Sequence, residues 1–270
     1  MLDAYSCCRP EFDGVPAVSP VHGKPILYFP RREFLFRVCI SVNVISFLIL
    51  VVLCIVAGIF LLRIILTHTA ALTVGGIALG STITALINAV QIQVLNAIYG
   101  SVAIYLNDFE NHRTDTEYED SLIAKTFIFQ FVNSFSSLFY IAFVKPYIQD
   151  LDPCVGSCMS ELQTSLGTIF LTRLATGSIL KLAIPYYSVK ARQKSESRGV
   201  DIDDLTDVEL AFMQEEYHVM LGTFNDFANL AIQFGYATMF ICAYPLATTM
   251  SFVSNYVGKY SMHMVWYATH

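Results

Sequence analysis

Gln130, Asn133, Ser134 and Ser137 fall at i, i+3, i+4 and i+7 inside a stretch, Thr126 to Val144, that carries no charge. At that spacing one helix face holds two amides and two hydroxyls, while the rest of the cylinder is apolar and aromatic. Ser81, Thr84, Asn88 and Gln91 form a second stripe of this kind in an earlier uncharged stretch. Thr164, Thr168, Thr172 and Thr176 form a third, with Arg173 and Lys181 close by. Amides and hydroxyls offer N–H and O–H groups to an anion or a lipid phosphate without binding it so deeply that it cannot leave, and the two cations add positive potential. Three such faces turned toward one another would line a hydrophilic groove. The bland alternative is that they only hydrogen-bond helix to helix. Lys181, near a helix end, equally suits snorkelling to the headgroups, an explanation that suits the deeper Arg173 less well.

The elements that must position these stripes are membrane helices. Nineteen uncharged residues from Thr126 to Val144, at about 1.5 Å each, match the roughly 30 Å of a hydrocarbon core. Similar stretches predict spans at about 38–62, 78–106, 126–145, 161–185 and 224–250, so the fold class is all-α, a multi-span transmembrane protein of about five helices. The first span is bracketed by Arg37 and Arg63; the second is expected to start only after Gly75, Gly76 and Gly80. Residues 1–37, rich in proline, read as an approach segment, 107–124 as a charged loop, 186–223 as a solvated linker ending in a short surface helix, and 251–270 as a tail. The fourth segment is the least apolar, because Arg173 and Lys181 interrupt it.

Composition agrees and excludes other classes. The chain has 270 residues, 55% hydrophobic and only 14% charged, with a mean hydropathy of +0.54, too apolar for an ordinary soluble domain. A net charge of −6, with basic residues scattered along loops, argues against nucleic acid as a partner. The first residues lack the basic and apolar regions of a cleaved signal peptide. There is no G-x-S-x-G, no Gly-rich phosphate loop and no H-E-x-x-H, and the six histidines show no ligand spacing, so the chain does not read as an enzyme. The acidic run from Asp201 lacks the alternating ligands and central Gly of an EF-hand loop.

Of seven cysteines, Cys39, Cys54 and Cys242 lie in apolar stretches and read as packed thiols. Cys7 and Cys8 read as cytosolic thiols, with lipidation the alternative. Cys154 and Cys158 match neither a C-x-x-C redox pair nor half a zinc site, and a disulfide is expected, with each other or with another segment. Twelve Lys and Arg fall in 1–37, 107–125 and 181–226, against Arg63, Lys145 and Lys259 on the other side. By the positive-inside rule the first three segments are cytosolic, and the Cys154/Cys158 loop faces the oxidising side, where a disulfide persists.

FENHRTDTEYEDSL followed by KTFIFQFVNSFSSLFYIAF resembles the signature of the anoctamins, a family of calcium-activated chloride channels and phospholipid scramblases. The resemblance extends to RPEF (Arg9 to Phe12), LNAIYGSVAIYLNDFE, EEYH (Glu215 to His218) and IQFGYATMFICAYPLA (Ile232 to Ala247), covering nearly the whole chain. It implies that the five spans correspond to the third to seventh of ten, those that form the ion and lipid groove. The chain would then be a fragment or splice product, lacking the helix through which the family dimerises. It also implies a calcium site at cytosolic helix ends. The family's ligand positions fall on Gly177 and Lys181 in the fourth segment and on Asp226 and Asn229 in the fifth, so only Asp226 keeps a carboxylate. Calcium wants six to eight oxygens and an ammonium would compete with it, so the site is expected to be degenerate. The implied function is an anion channel, a scramblase or both, in the plasma membrane or an intracellular one, with lipids and chloride or other anions as partners. The alternative is a non-conducting regulatory or tethering member, or an inactive truncated fragment.

Overall fold

The computed structural model describes residues 9–21, 23, 25–68, 73–74, 77–154, 157–196 and 219–257. A short hairpin opens the chain, β1 (Val15–Val18) pairing antiparallel with β2 (Pro25–Tyr28), with Val15 opposite Tyr28 and Val18 opposite Pro25. The long helices follow: α1 (Arg31–His68), α2 (Leu79–Glu110), α3 (Asp115–Phe139), α4 (Cys158–Glu196) and α5 (Val219–Met239). A two-residue hairpin, β3 (Thr73–Val74) with β4 (Ile77–Ala78), leads into α2. The architecture is that of an all-α, multi-span membrane protein. Among the described residues Arg31–Leu66, Thr82–Glu110 and Asp115–Tyr147 are long and apolar enough to cross a bilayer. Large apolar side chains such as Phe47 on α1, 63% exposed, lie where lipid rather than water would cover them.

Helix ends differ from the sequence reading in ways that capping explains. Residues 107–124, expected as a charged loop, are mostly helix: α2 runs to Glu110 and α3 starts at Asp115. Thr114 is the N-cap of α3, its hydroxyl accepting from the Glu117 amide at 3.2 Å, and Asp115 and Glu117 sit in the positive first turn. Only a four-residue turn remains, with Asn111 at φ 58°. α1 starts at Arg31, seven residues before the expected span, where the Pro30 carbonyl accepts from the amides of Glu33 and Phe34. At 38 residues it is about 57 Å long, so its ends project beyond a bilayer. α4 likewise continues through the first part of the expected 186–223 linker to Glu196. The expected fifth span, 224–250, is interrupted: turns occupy 240–246 around Pro245, which has no amide hydrogen to donate, and helix resumes over 247–257.

α3 ends in a π turn (Tyr140–Val144) and a 3-10 turn (Lys145–Tyr147) containing Pro146. Cys39 and Cys54 on α1 and Cys242 in the 240–246 turns, expected to be packed, are free and exposed rather than part of a core.

The chain divides into two compact units, residues 1–68 with 91–140, and 69–90 with 141–270. In the first, α1 packs on α3, with the rings of Phe60 and Tyr140 centred 4.2 Å apart, and Tyr99 of α2 stacks on Phe129 of α3 at 3.7 Å. In the second, Phe170 of α4 meets Tyr236 of α5 edge to face at 5.8 Å.

Candidate functional site

The second and third stripes of polar residues in chain order, on α3 and α4, have different fates, as do the two halves of the α2 stripe. Asn133 on α3 is fully buried and is the centre of a network in the first unit. Its amide donates to the Ile92 carbonyl at 3.0 Å and to Asn96 Oδ1 at 2.8 Å, and its Oδ1 accepts from Gln91 Nε2 at 2.8 Å. Gln91 and Asn133, one from each of two expected stripes, are thus brought together. Ser134 and Ser137 are buried beside it in sequence and Gln130 is half-buried. Asn96 was not expected: it lies five residues after Gln91, off the register of its stripe, and only the partner helix reveals its role.

In the second unit, Thr84 and Asn88 of α2 are buried, and the side chain of Ser81 lies outside the described residues. The Thr84 hydroxyl donates to the Gly80 carbonyl at 2.9 Å. On α4, Thr164 and Thr168 donate to the carbonyls of Ser160 and Thr164 at 2.9 and 2.8 Å, and Thr176 to that of Thr172 at 2.8 Å. These hydroxyl protons are spent within their own helix, so the oxygen lone pairs are what such a face presents in this state. Thr172 is buried. Arg173 lies with its guanidinium 5.3 Å from the Tyr236 ring centre, and its Nε is buried without a hydrogen-bond acceptor among the described residues. A cation over an aromatic face inside the helix packing is partly compensated by the ring quadrupole.

Asp226 and Asn229 lie one turn apart on α5, both exposed. Gly177 and Lys181 lie one turn apart on α4, and the side chain of Lys181 is outside the described residues. As a donor set these four positions offer one carboxylate, one amide, no side chain and one ammonium. That chemistry does not fit calcium, and no cluster of three His, Cys, Asp or Glu side chains suited to a metal occurs among the described residues.

Two buried charge centres hold the connections around these helices. At the α2–α3 turn, Glu110 Oε2 receives Lys125 Nζ, His112 Nε2 at 2.8 Å and Ser121 Oγ at 3.3 Å, and Lys125 also donates to Asn107 Oδ1 at 2.8 Å. The RPEF segment docks on the same turn. The Arg9 guanidinium lies 3.6 Å from the Tyr118 ring centre, the Arg9 amide donates to the Arg113 carbonyl, and Asn111 binds both backbone groups of Asp13. After α3, Lys145 Nζ is fully buried between Asp152 at 3.0 Å and Glu161 at 2.9 Å. Cys154 and Cys158, between those two carboxylates in sequence, are joined by a disulfide with Cα atoms 5.1 Å apart.

Long apolar helices with exposed apolar side chains, and polar faces of which the α2–α3 part is buried between helices, define a multi-span helical membrane protein. The family model described as "Anoctamin: Calcium-activated chloride channel" matches residues 3–261. The chain belongs to the anoctamin family. It is similar to human anoctamin-10, 35% identical over 64% of this chain and 25% of that protein. It is also similar to mouse anoctamin-7, 28% identical over 92% of this chain and 31% of the relative, and to mouse anoctamin-4, 30% identical over 92% and 29%. The chain therefore spans about a quarter to a third of the length of the curated relatives it matches.

Proposed function

We propose that this chain forms part of an anion or phospholipid pathway of the anoctamin type, in the plasma membrane, with little control by calcium. The observation that supports it is the set of polar faces on α2, α3 and α4, borne by helices of a family whose model is described as a chloride channel. In this reading Ser81, Thr84, Asn88, Thr164, Thr168, Thr172 and Arg173 line the path, Asn88 and Arg173 offering N–H groups to the anion or headgroup phosphate and the threonine hydroxyls donating to it only when they turn from the carbonyls of their own helix. The fully buried Asn133, tied to Gln91 and Asn96, holds α3 against α2. Calcium contributes little because Gly177, Lys181, Asp226 and Asn229 make a poor ligand set. A homodimer of the whole protein is part of the proposal.

The test is reconstitution of the chain in lipid vesicles, with chloride efflux and lipid scrambling followed across a calcium series. Cysteines placed at Asn88 and Thr168, in a background without other free thiols, should react with a small aqueous thiol reagent on the order of tenfold faster than one at the exposed apolar Ile128, and should alter transport. Equal rates would favour a second, non-conducting reading, which the Gln91–Asn133–Asn96 network already supports: polar faces that serve adhesion between helices.

The membrane orientation has its own test. A cysteine at Leu151 should be labelled by an impermeant reagent on intact cells, whereas cysteines at Thr116 and Gln193 should be labelled only after permeabilisation. Labelling of Thr116→Cys on intact cells would invert the topology.

A further inference from the structure

A cleft of about 800 Å³ opens in the first unit between the N-terminal hairpin, the start of α1 and the α2–α3 turn. Tyr28, Phe29 and Phe34 supply aromatic surface, the Phe29 ring with the Arg37 guanidinium already 4.9 Å from its centre, while Arg31 and Arg113 supply two cations and Glu117 and Asp120 two carboxylates. None of these residues belongs to the polar stripes. The arginines come from the first residue of α1 and from the inter-helix turn, whereas Glu117 and Asp120, three residues apart, share one face of α3. All four charged side chains are exposed. Among the described residues neither arginine pairs with either carboxylate. The walls are fixed: Phe34 packs edge to face on His112 at 5.6 Å, Phe12 on Phe29 at 6.5 Å, and Asn111 pins the chain at Asp13.

We propose that this cleft binds phosphocholine, either free or as the headgroup of a lipid. A simple anion would meet the arginines but also two carboxylates; a metal cation would meet the carboxylates but also two guanidinium groups. An apolar ligand would strip water from all four charges. A zwitterion satisfies both sets, its phosphate pairing with Arg31 and Arg113 and its cation with Glu117 and Asp120. Aromatic rings lining the same cleft as the carboxylates favour a quaternary ammonium over a primary amine, because the methylated cation is cheaply desolvated and attracted to ring faces. The volume falls within the range of small-ligand sites and exceeds a bare headgroup, leaving room for a glycerol backbone. Leu35 and Phe36 on the adjoining turn of α1 are exposed apolar residues suited to the start of an acyl chain.

The experiment uses the whole chain in maltoside detergent, with saturation-transfer NMR to the N-methyl protons of phosphocholine and with choline and inorganic phosphate as separate probes. Phosphocholine should bind at least roughly tenfold more tightly than either half. Glu117→Gln with Asp120→Asn, and separately Arg31→Gln with Arg113→Gln, should each weaken it by roughly tenfold or more, each pair removing charge-assisted contacts at one end of the ligand. Arg32→Gln, exposed but outside the cleft, should leave binding unchanged. Binding of inorganic phosphate or choline as strong as that of phosphocholine would overturn the proposal, as would full binding by both double variants or no binding by the unaltered chain. In the lipid arm, discs of phosphatidylcholine that displace the probe while discs of phosphatidylglycerol do not identify a lipid headgroup as the source. Displacement by neither identifies the free compound.

Discussion

Lys145→Met should destabilise the chain by about 3–5 kcal/mol, the range for removing one partner of a buried ion pair. Lys145 is fully buried, and its ammonium is held by Asp152 Oδ1 at 3.0 Å and by both oxygens of Glu161 at 2.9 and 3.0 Å. Methionine matches the length of the stem, so little packing is lost, but two buried carboxylates are left facing each other with no cation between them. Thermal unfolding of the purified chain in detergent measures the loss. Lys145→Met combined with Asp152→Asn and Glu161→Gln should recover most of it, since neutral groups avoid the uncompensated charge. A single variant that melts with the unaltered chain would show that water or lipid headgroups, not this trio, satisfy the carboxylates.

That trio also shows what sequence could and could not disclose. In the sequence Lys145 reads only as the last residue of the third span, next to Pro146, and as one of the few cations on the oxidising side. Its partners lie 7 and 16 residues further on, across a turn whose path depends on the disulfide and on the start of α4. Hydropathy and uncharged length gave the membrane helices, because burial in lipid imposes composition on every residue of a span. Those signals are silent on where a helix continues into water. The Thr114–Glu117 capping pair, which extends α3 back to Asp115, was present in the sequence but lay inside a run so charged that it read as a loop.

The polar stripes were legible as spacing, and their use was not. Periodicity places Asn133 and Gln91 on helix faces but cannot say whether those faces meet water or each other; in the first unit they meet. Asn96 completes the network from a position that breaks the period. The RPEF and NHRTDTEYE motifs carry the family likeness through residue identity alone. Their physical role lies in the packing of Arg9 against the ring of Tyr118 and of Asn111 against the backbone of Asp13, contacts that no spacing along the chain encodes.

Glu110→Gln is expected to loosen this junction, by about 3 kcal/mol as for other buried pairs broken on one side. The Glu110 side chain is fully buried, and one of its oxygens collects Lys125, His112 and Ser121. Glutamine keeps the shape but removes the charge that balances Lys125, whose remaining partner, Asn107, is neutral. Lys125→Met alone should do comparable damage by stranding the carboxylate. The two together should cost less than the sum of the singles, with a coupling on the order of 1–3 kcal/mol in a double-mutant cycle. A local readout separates this from general destabilisation. Arg113 sits in the turn that the centre clamps, so trypsin should cut after Arg113 faster in Glu110→Gln than in a variant of equal melting temperature altered at Lys145. Equal cutting in the two variants, or additive energies in the cycle, would mean that Glu110 and Lys125 do not act as a pair and that docking of Arg9 on Tyr118 holds the turn by itself.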